Sequence, residues 1–348
     1  MQHRPLGRSG LMVSDLCLGT MTWGTQTPES EAHAQIDLAL AHGVTILDTA
    51  EMYPTTPISA ETIGLTEAII GRWIAANPSR RGDVLVATKH SGAGMKHTRD
   101  GAAISSATIA QAVEGSLRRL QTDVIDLYQF HWPNRGSYMF RQNWLFDASG
   151  QDPARTLAHM DDALEALSRQ VEKGNIRHFG LSNESAWGTT MWCRRAEALG
   201  APRPVSVQNE YSLMCRLYDT DMAEMTAQEG VGLLAFSPLA AGLLTGKYAA
   251  GAVPEGSRMG IASELGGRRT PRAMVAAEAY VALARDHGLD PVHMALAFAR
   301  GRPFMASVIF GATTLGQLRH ALGAADVVLG AEVLEAIDRL HRAHAMPF

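Results

Sequence analysis

Eight short apolar runs, each followed by a stretch of helical periodicity, constrain the fold of this chain more than any other feature. They begin near residues 13, 45, 84, 124, 178, 205, 232 and 307. Between them the apolar residues recur one turn apart: Ile36 and Leu40, then Ile63, Ile70, Trp73 and Ile74, then Ile109, Val113, Leu117 and Leu120, then Leu157, Met160, Leu164, Leu167 and Val171. Strands that alternate with helices build a parallel sheet. No linker or shift of composition divides the series. The expectation is therefore one α/β domain over residues 1–348, a single (β/α)8 TIM barrel. A doubly wound sheet competes, but eight strands are many for it, and no G-x-G-x-x-G follows the first strand.

The punctuation agrees. Gly7 and the Ser9-Gly10 pair predict a short N-terminal hairpin, and two extra helices should close the chain after the last strand. Helices are expected over Pro28–His42 with Gly43 as C-terminal cap, from about Ala60 to Ala76, over Thr108–Leu120, up to Gly174, near Thr220–Glu229, and over Pro271–His287 and Pro291–Arg300. Two segments lack periodicity: the polar insertion Pro133–Pro153, and the Gly- and Arg-rich stretch 249–270.

In a barrel, polar groups at the C-terminal ends of strands gather at one mouth. Three strands here end in groups that are poor core material. Ile46-Leu47 gives way to Asp48 and, five residues on, Tyr53. Val84–Thr88 runs into Lys89, and Ile125–Phe130 runs into His131. Taken singly, each reads as an ion-pair or packing residue; four at one mouth suggest chemistry. A phenol with a pKa near 10 is a proton donor at neutral pH, and an adjacent ammonium held by a carboxylate lowers that pKa. With His131 to donate a hydrogen bond, the set suits carbonyl reduction, in which Tyr53 protonates oxygen as hydride reaches carbon. No serine or cysteine has an evident base partner. No second histidine sits at ligand spacing on a strand, so no metal is expected at the mouth.

Composition bounds the partners. A net charge of −4, with 46% hydrophobic and 19% charged residues, gives no electrostatic footprint for nucleic acid. No run of about 18 apolar residues is present, so no membrane span is expected. The N-terminus lacks a signal-like apolar stretch, and three scattered cysteines (Cys17, Cys193, Cys215) argue against a disulfide framework. A cytoplasmic protein acting on a small molecule is the expectation, with no oligomeric state implied.

The motifs Gly19-Thr20-Met21, Leu47-Asp48-Thr49-Ala50-Glu51-Met52-Tyr53, Thr88-Lys89, Gly180-Leu181-Ser182-Asn183, Gln208-Asn209-Glu210-Tyr211, Ser237-Pro238-Leu239 and Gly242–Tyr248 occur in this order. Over its whole length the chain resembles the aldo-keto reductases, in particular the bacterial Tas-type members, and is also similar to potassium-channel β subunits. The resemblance implies a small carbonyl substrate, no metal, and NADPH bound across the mouth, with NADH open as a substitute. It implies the tetrad Asp48, Tyr53, Lys89 and His131. It assigns Thr20 and Met21 to the cofactor, Ser182, Asn183 and Gln208 to the nicotinamide carboxamide, and Tyr211 to stacking on the ring. Phe236, Ser237, Pro238, Leu239, Gly242, Lys247 and Arg258 would meet the pyrophosphate and phosphates, and Gly311, Thr313 and Gln317 the adenosine 2′-phosphate. One motif departs: where the family commonly reads Gln-Leu-x-Glu-Asn, this chain reads Gln317-Leu318-Arg319-His320-Ala321. Trp23, Met52 and Trp132, with Tyr138, Met139, Phe140, Trp144 and Phe146 of the insertion, would wall the substrate pocket. The likeness to channel β subunits implies one alternative, a nucleotide-binding regulatory subunit with slow turnover.

Overall fold

The computed structural model describes all 348 residues. Two short antiparallel strands, β1 (His3–Pro5) and β2 (Met12–Ser14), form the N-terminal hairpin. Eight parallel strands then close into a barrel, with helices between them. The chain runs β3 (Leu16–Gly19), α1 (Glu29–Ala41), β4 (Ile46–Asp48), α2 (Leu65–Ala76), β5 (Leu85–His90), α3 (Ser106–Leu120), β6 (Ile125–Phe130), α4 (Pro153–Glu172) and β7 (Ile176–Ser182). It continues α5 (Ala186–Leu199), β8 (Pro204–Glu210), α6 (Asp221–Glu229), β9 (Gly232–Phe236), a short α7 (Arg258–Ile261), α8 (Pro271–Asp286), α9 (Pro291–Arg300) and β10 (Met305–Gly311). The last two helices are α10 (Leu315–Leu322) and α11 (Ala331–Ala343). The sheet closes where β10 pairs with both β3 and β9.

Local chemistry sets the helix starts. Asp152, Thr270 and Asp290 each accept a backbone N–H of the first turn and are each followed by proline, whose missing N–H costs nothing at that position. Ser105 and Thr108 cap α3 reciprocally. Helix α2 begins at Leu65 and not near Ala60, because Gly64 adopts a left-handed conformation (φ +80) just before it.

The barrel has two hydrophobic layers. Its outer surface packs on the helices through a cluster of 69 buried residues. Its interior is filled by Leu6, Val13, Cys17, Ile46, Ala87, Leu127, Val205, Leu234, Ala306 and Ile309. Leu6 comes from the hairpin, which sits across the N-terminal end of the barrel. A Cβ on Gly7 would lie 2.2 Å from the Val205 carbonyl oxygen, so only glycine lets the turn seat there. Arg4 adds hydrogen bonds to the carbonyls of Arg302 and Met305. The floor is thereby plugged, and the opposite end is left for polar groups.

Candidate active site

Strand alternation builds the site. In β4, β5 and β6 the inward residues are Ile46 and Asp48, Ala87 and Lys89, Leu127 and Gln129, so apolar side chains lie below and polar ones above. Register places Asp48 level with Ala87, and Lys89 level with Gln129, one step nearer the mouth. Lys89 reaches back: its Nζ donates to Asp48 Oδ2 at 2.7 Å and to the Thr49 carbonyl at 2.8 Å. The other Asp48 oxygen accepts from Gln208 Nε2 at 2.7 Å. Lys89 is fully buried, and burial alone would depress its pKa; the Asp48 carboxylate outweighs this and holds the ammonium charged.

Tyr53 stands over this pair, with Lys89 Nζ 5.0 Å from its ring centroid and the His131 ring 5.8 Å away, edge to face. Burial raises the phenol's pKa and the Lys89 ammonium pulls it down; the balance lies above the ordinary value of 10. The lowering expected from sequence does not prevail, because desolvation in this pocket exceeds the attraction of one ammonium. Tyr53 is therefore fully protonated at neutral pH. His131 is pushed well below 6.5 by burial and by Lys89, which makes it a neutral imidazole, and its Nδ1 is buried without a partner. The four tetrad positions are thus brought together: a carboxylate, an ammonium, a protonated phenol and a neutral imidazole.

A clamp that sequence reasoning missed fixes the loop carrying Tyr53. Glu51, 3% exposed, receives Arg99 Nη1 at 2.7 Å and Nη2 at 2.6 Å, and the Ser91 amide at 2.6 Å. The loop after β4 is thus tied to the end of β5, two residues beyond Lys89. Burial raises the Glu51 pKa and the Arg99 guanidinium lowers it, with a net fall below 4.5. Glu51 lies inside a motif already singled out; nothing in the sequence pairs it with Arg99.

The remaining expected positions ring the mouth. Thr20 Oγ1 donates to the Asp48 carbonyl at 2.8 Å, and Met21 and Met52 are each half-buried. At the end of β7, Ser182 Oγ donates to the Gln208 carbonyl at 2.8 Å. Asn183 (φ +53) sends Nδ2 to the His131 carbonyl at 2.9 Å, which leaves its Oδ1 buried and unpartnered. Phe236, the last residue of β9, is half-buried, as are Ser237 and Leu239 beyond it, with Pro238 buried. Lys247 folds over Gly242, where a Cβ would sit 2.9 Å from its Cε. Gly311 is exposed, and Gln317 Oε1 accepts from both the amide and hydroxyl of Thr313 at 3.0 Å.

Two expectations are corrected. Tyr211 is 0% exposed, its phenol donates to Asp219 and its ring lies parallel to Phe298, so no face is free for stacking. The accessible aromatic at a strand end is Phe236. Trp23 is also 0% exposed, in the core with Nε1 on Gln35, so it does not wall a pocket. Trp132, by contrast, is half-buried and meets Phe140 edge to face. Tyr138 and Phe146 are half-buried and also meet edge to face, Met139 is buried, and Trp144 is 59% exposed.

The Gly- and Arg-rich segment is seated by Met259, Leu265 and Arg268, all buried. Arg268 and Arg141 both ion-pair with Glu210, at 2.7 and 3.0 Å, and Arg268 also reaches Ser237. Arg258, close enough to feel Tyr53 and both other arginines, forms no ion pair. His320, at the departing motif, turns to Asp290 at 3.0 Å.

Residues 15–342 match the Aldo/keto reductase family. The chain belongs to that family. It is 42% identical to Protein tas of Escherichia coli, with all of this chain and 99% of the relative covered. It is 33% identical to the uncharacterized oxidoreductase YrpG of Bacillus subtilis, over 97% and 95% of the two chains. It is 30% identical to a probable voltage-gated potassium channel subunit beta of Arabidopsis thaliana, over 98% and 96%. An aldo/keto reductase is an oxidoreductase acting on carbonyls, and the family generally uses a nicotinamide dinucleotide. No helix is long and apolar enough to cross a membrane.

Proposed function

We propose that this aldo/keto reductase reduces an aldehyde or ketone to an alcohol with NADPH, and that Tyr53 is the general acid. The observation that carries the reading is the phenol of Tyr53, kept protonated by burial above an ammonium that Asp48 locks in place. The residues fit the cofactor. Asn183 Oδ1 is a buried acceptor in want of a donor such as a carboxamide N–H. Arg258 and Lys247 are cations without an ion-pair partner, and Phe236 offers an accessible ring. These would hold the carboxamide, the phosphates and the nicotinamide face respectively, with Gly311, Thr313 and Gln317 toward the adenosine end. When bound, the cofactor supplies hydride to the carbonyl carbon.

The chain's own groups do the rest. The uncharged His131 can donate a hydrogen bond to the substrate oxygen without competing for its proton. Tyr53 Oη gives that oxygen its proton as negative charge develops, and the Lys89 ammonium stabilises the phenolate left behind. Asp48 keeps Lys89 from drifting toward the new charge. Met52 and Trp132 with the insertion's aromatics form an apolar rim suited to apolar or aromatic carbonyls.

The test is Tyr53→Phe, assayed with NADPH against a panel of aldehydes and ketones, alongside NADPH binding. Turnover should fall by about 10²–10⁴-fold with cofactor affinity nearly unchanged. Near-wild-type turnover would remove Tyr53 from the mechanism. Tight NADPH binding without turnover of any carbonyl in the wild type would instead favour a regulatory nucleotide-binding role.

A further inference from the structure

The structure assigns a transition-metal site of the zinc class to Asp290, His293 and His320, away from the tetrad. Asp290 and His293 are three residues apart at the start of α9, and His320 lies on the neighbouring α10. One ligand-capable atom from each lies within 4.8 Å of the others. Asp290 Oδ2 and His320 Nε2 are already 3.0 Å apart, and the two imidazole centroids 4.9 Å apart. Zinc–nitrogen and zinc–carboxylate bonds of about 2.0–2.1 Å place tetrahedral ligand atoms roughly 3.3 Å from one another. Small side-chain rotations therefore close the set, and His320, 50% exposed, is free to make them.

The surroundings are prepared for a ligand role. Asp290 divides its carboxylate, with Oδ1 capping α9 through the His293 amide at 3.0 Å and Oδ2 facing His320. His293 Nε2 donates to the His320 carbonyl at 2.7 Å, which leaves Nδ1 with the lone pair; metal-binding histidines commonly make such a bond from the other nitrogen. Gly323 makes room for that ring, since a Cβ there would meet it at 2.9 Å. Two imidazoles and one carboxylate favour zinc, nickel or copper over magnesium or calcium. Three protein ligands leave one position for water or an added ligand. His320 is also where the chain departs from the family motif, so the departure acquires a purpose: it completes a ligand set joining α9 to α10.

The full-length protein, stripped with chelator and without NADPH, is titrated with zinc chloride against a chromophoric chelator, and separately with cobalt chloride read by visible absorption. Wild type should take up a single equivalent, show the d–d bands of bound Co²⁺, and melt at a higher temperature with zinc present. His293→Ala, His320→Ala and Asp290→Asn should each weaken binding by at least about 10–100-fold, the loss that even outer-shell changes cause. Asn keeps the α9 cap, so Asp290→Asn reports on the carboxylate in an intact fold. No saturable binding by wild type, or binding that survives all three substitutions unchanged, would overturn the assignment.

Discussion

Replacing Arg99 by alanine tests whether the Glu51 clamp sets both the fold and the tyrosine loop. Glu51 is 3% exposed and holds three hydrogen bonds of 2.6–2.7 Å, two of them from Arg99. Arg99→Ala leaves a buried carboxylate with only the Ser91 amide. Breaking such a pair from one side costs about 3–5 kcal/mol. A chain of 348 residues gains roughly 0.7 kcal/mol/K of entropy on unfolding, so the melting temperature should drop by about 4–7 °C. The sign with pH follows from Glu51. In wild type its folded pKa lies below 4.5, so its contribution is present above that value and lost as pH falls through the folded pKa. In the variant only the Ser91 amide and His90 still oppose burial, so the folded pKa lies higher than in wild type and protonation relieves part of the cost of the buried carboxylate. The gap between the two proteins, followed by calorimetry from neutral pH down to the carboxylate range, should therefore close as pH falls. Turnover should fall while NADPH affinity holds, because the displaced loop carries Tyr53. An equal gap at every pH, or unaltered turnover, would refute the reasoning.

Lys89→Met should reduce turnover by at least about tenfold, since the phenolate of Tyr53 loses its ammonium; steady-state rates against wild type check this. NADPH should bind about tenfold to a hundredfold more tightly than NADH, one charge-assisted phosphate contact being worth roughly 1.5–3 kcal/mol, and Arg258→Ala should weaken dinucleotide binding in fluorescence titration. Limited proteolysis should cut first within 249–256, which is exposed, and not after Met259, which is buried, and NADPH should slow the cut. Burial holds the His90 pKa at about 4, so the folded state resists a proton that the unfolded chain takes up near 6.5. Stability should thus decline as pH falls below about 6.5, and His90→Gln should flatten that decline in a melting series.

Much of this was legible because strand periodicity is a short-range property. Ile46-Leu47-Asp48, Val86–Lys89 and Leu127–His131 each display their inward and outward faces in a few residues, and barrel closure then fixes where the polar ends meet. What escaped depends on long-range geometry. Arg99 is 48 residues from Glu51, and Glu210 gathers Arg141 and Arg268 from 69 and 58 residues away. The misplacement of Tyr211 and Trp23 has one cause: an aromatic beside a strand end can turn to the mouth or the core, and only packing decides. The sign of the Tyr53 shift was likewise hidden, since desolvation depends on how completely the pocket closes.

The plugged floor has a kinetic consequence. With the interior packed by side chains of the strands and Leu6 capping their lower end, the barrel is accessible from its mouth alone. Two molecules that share it cannot pass one another. The expected order is that whichever sits deeper arrives first and departs last, an order set from below by a packed core that touches neither.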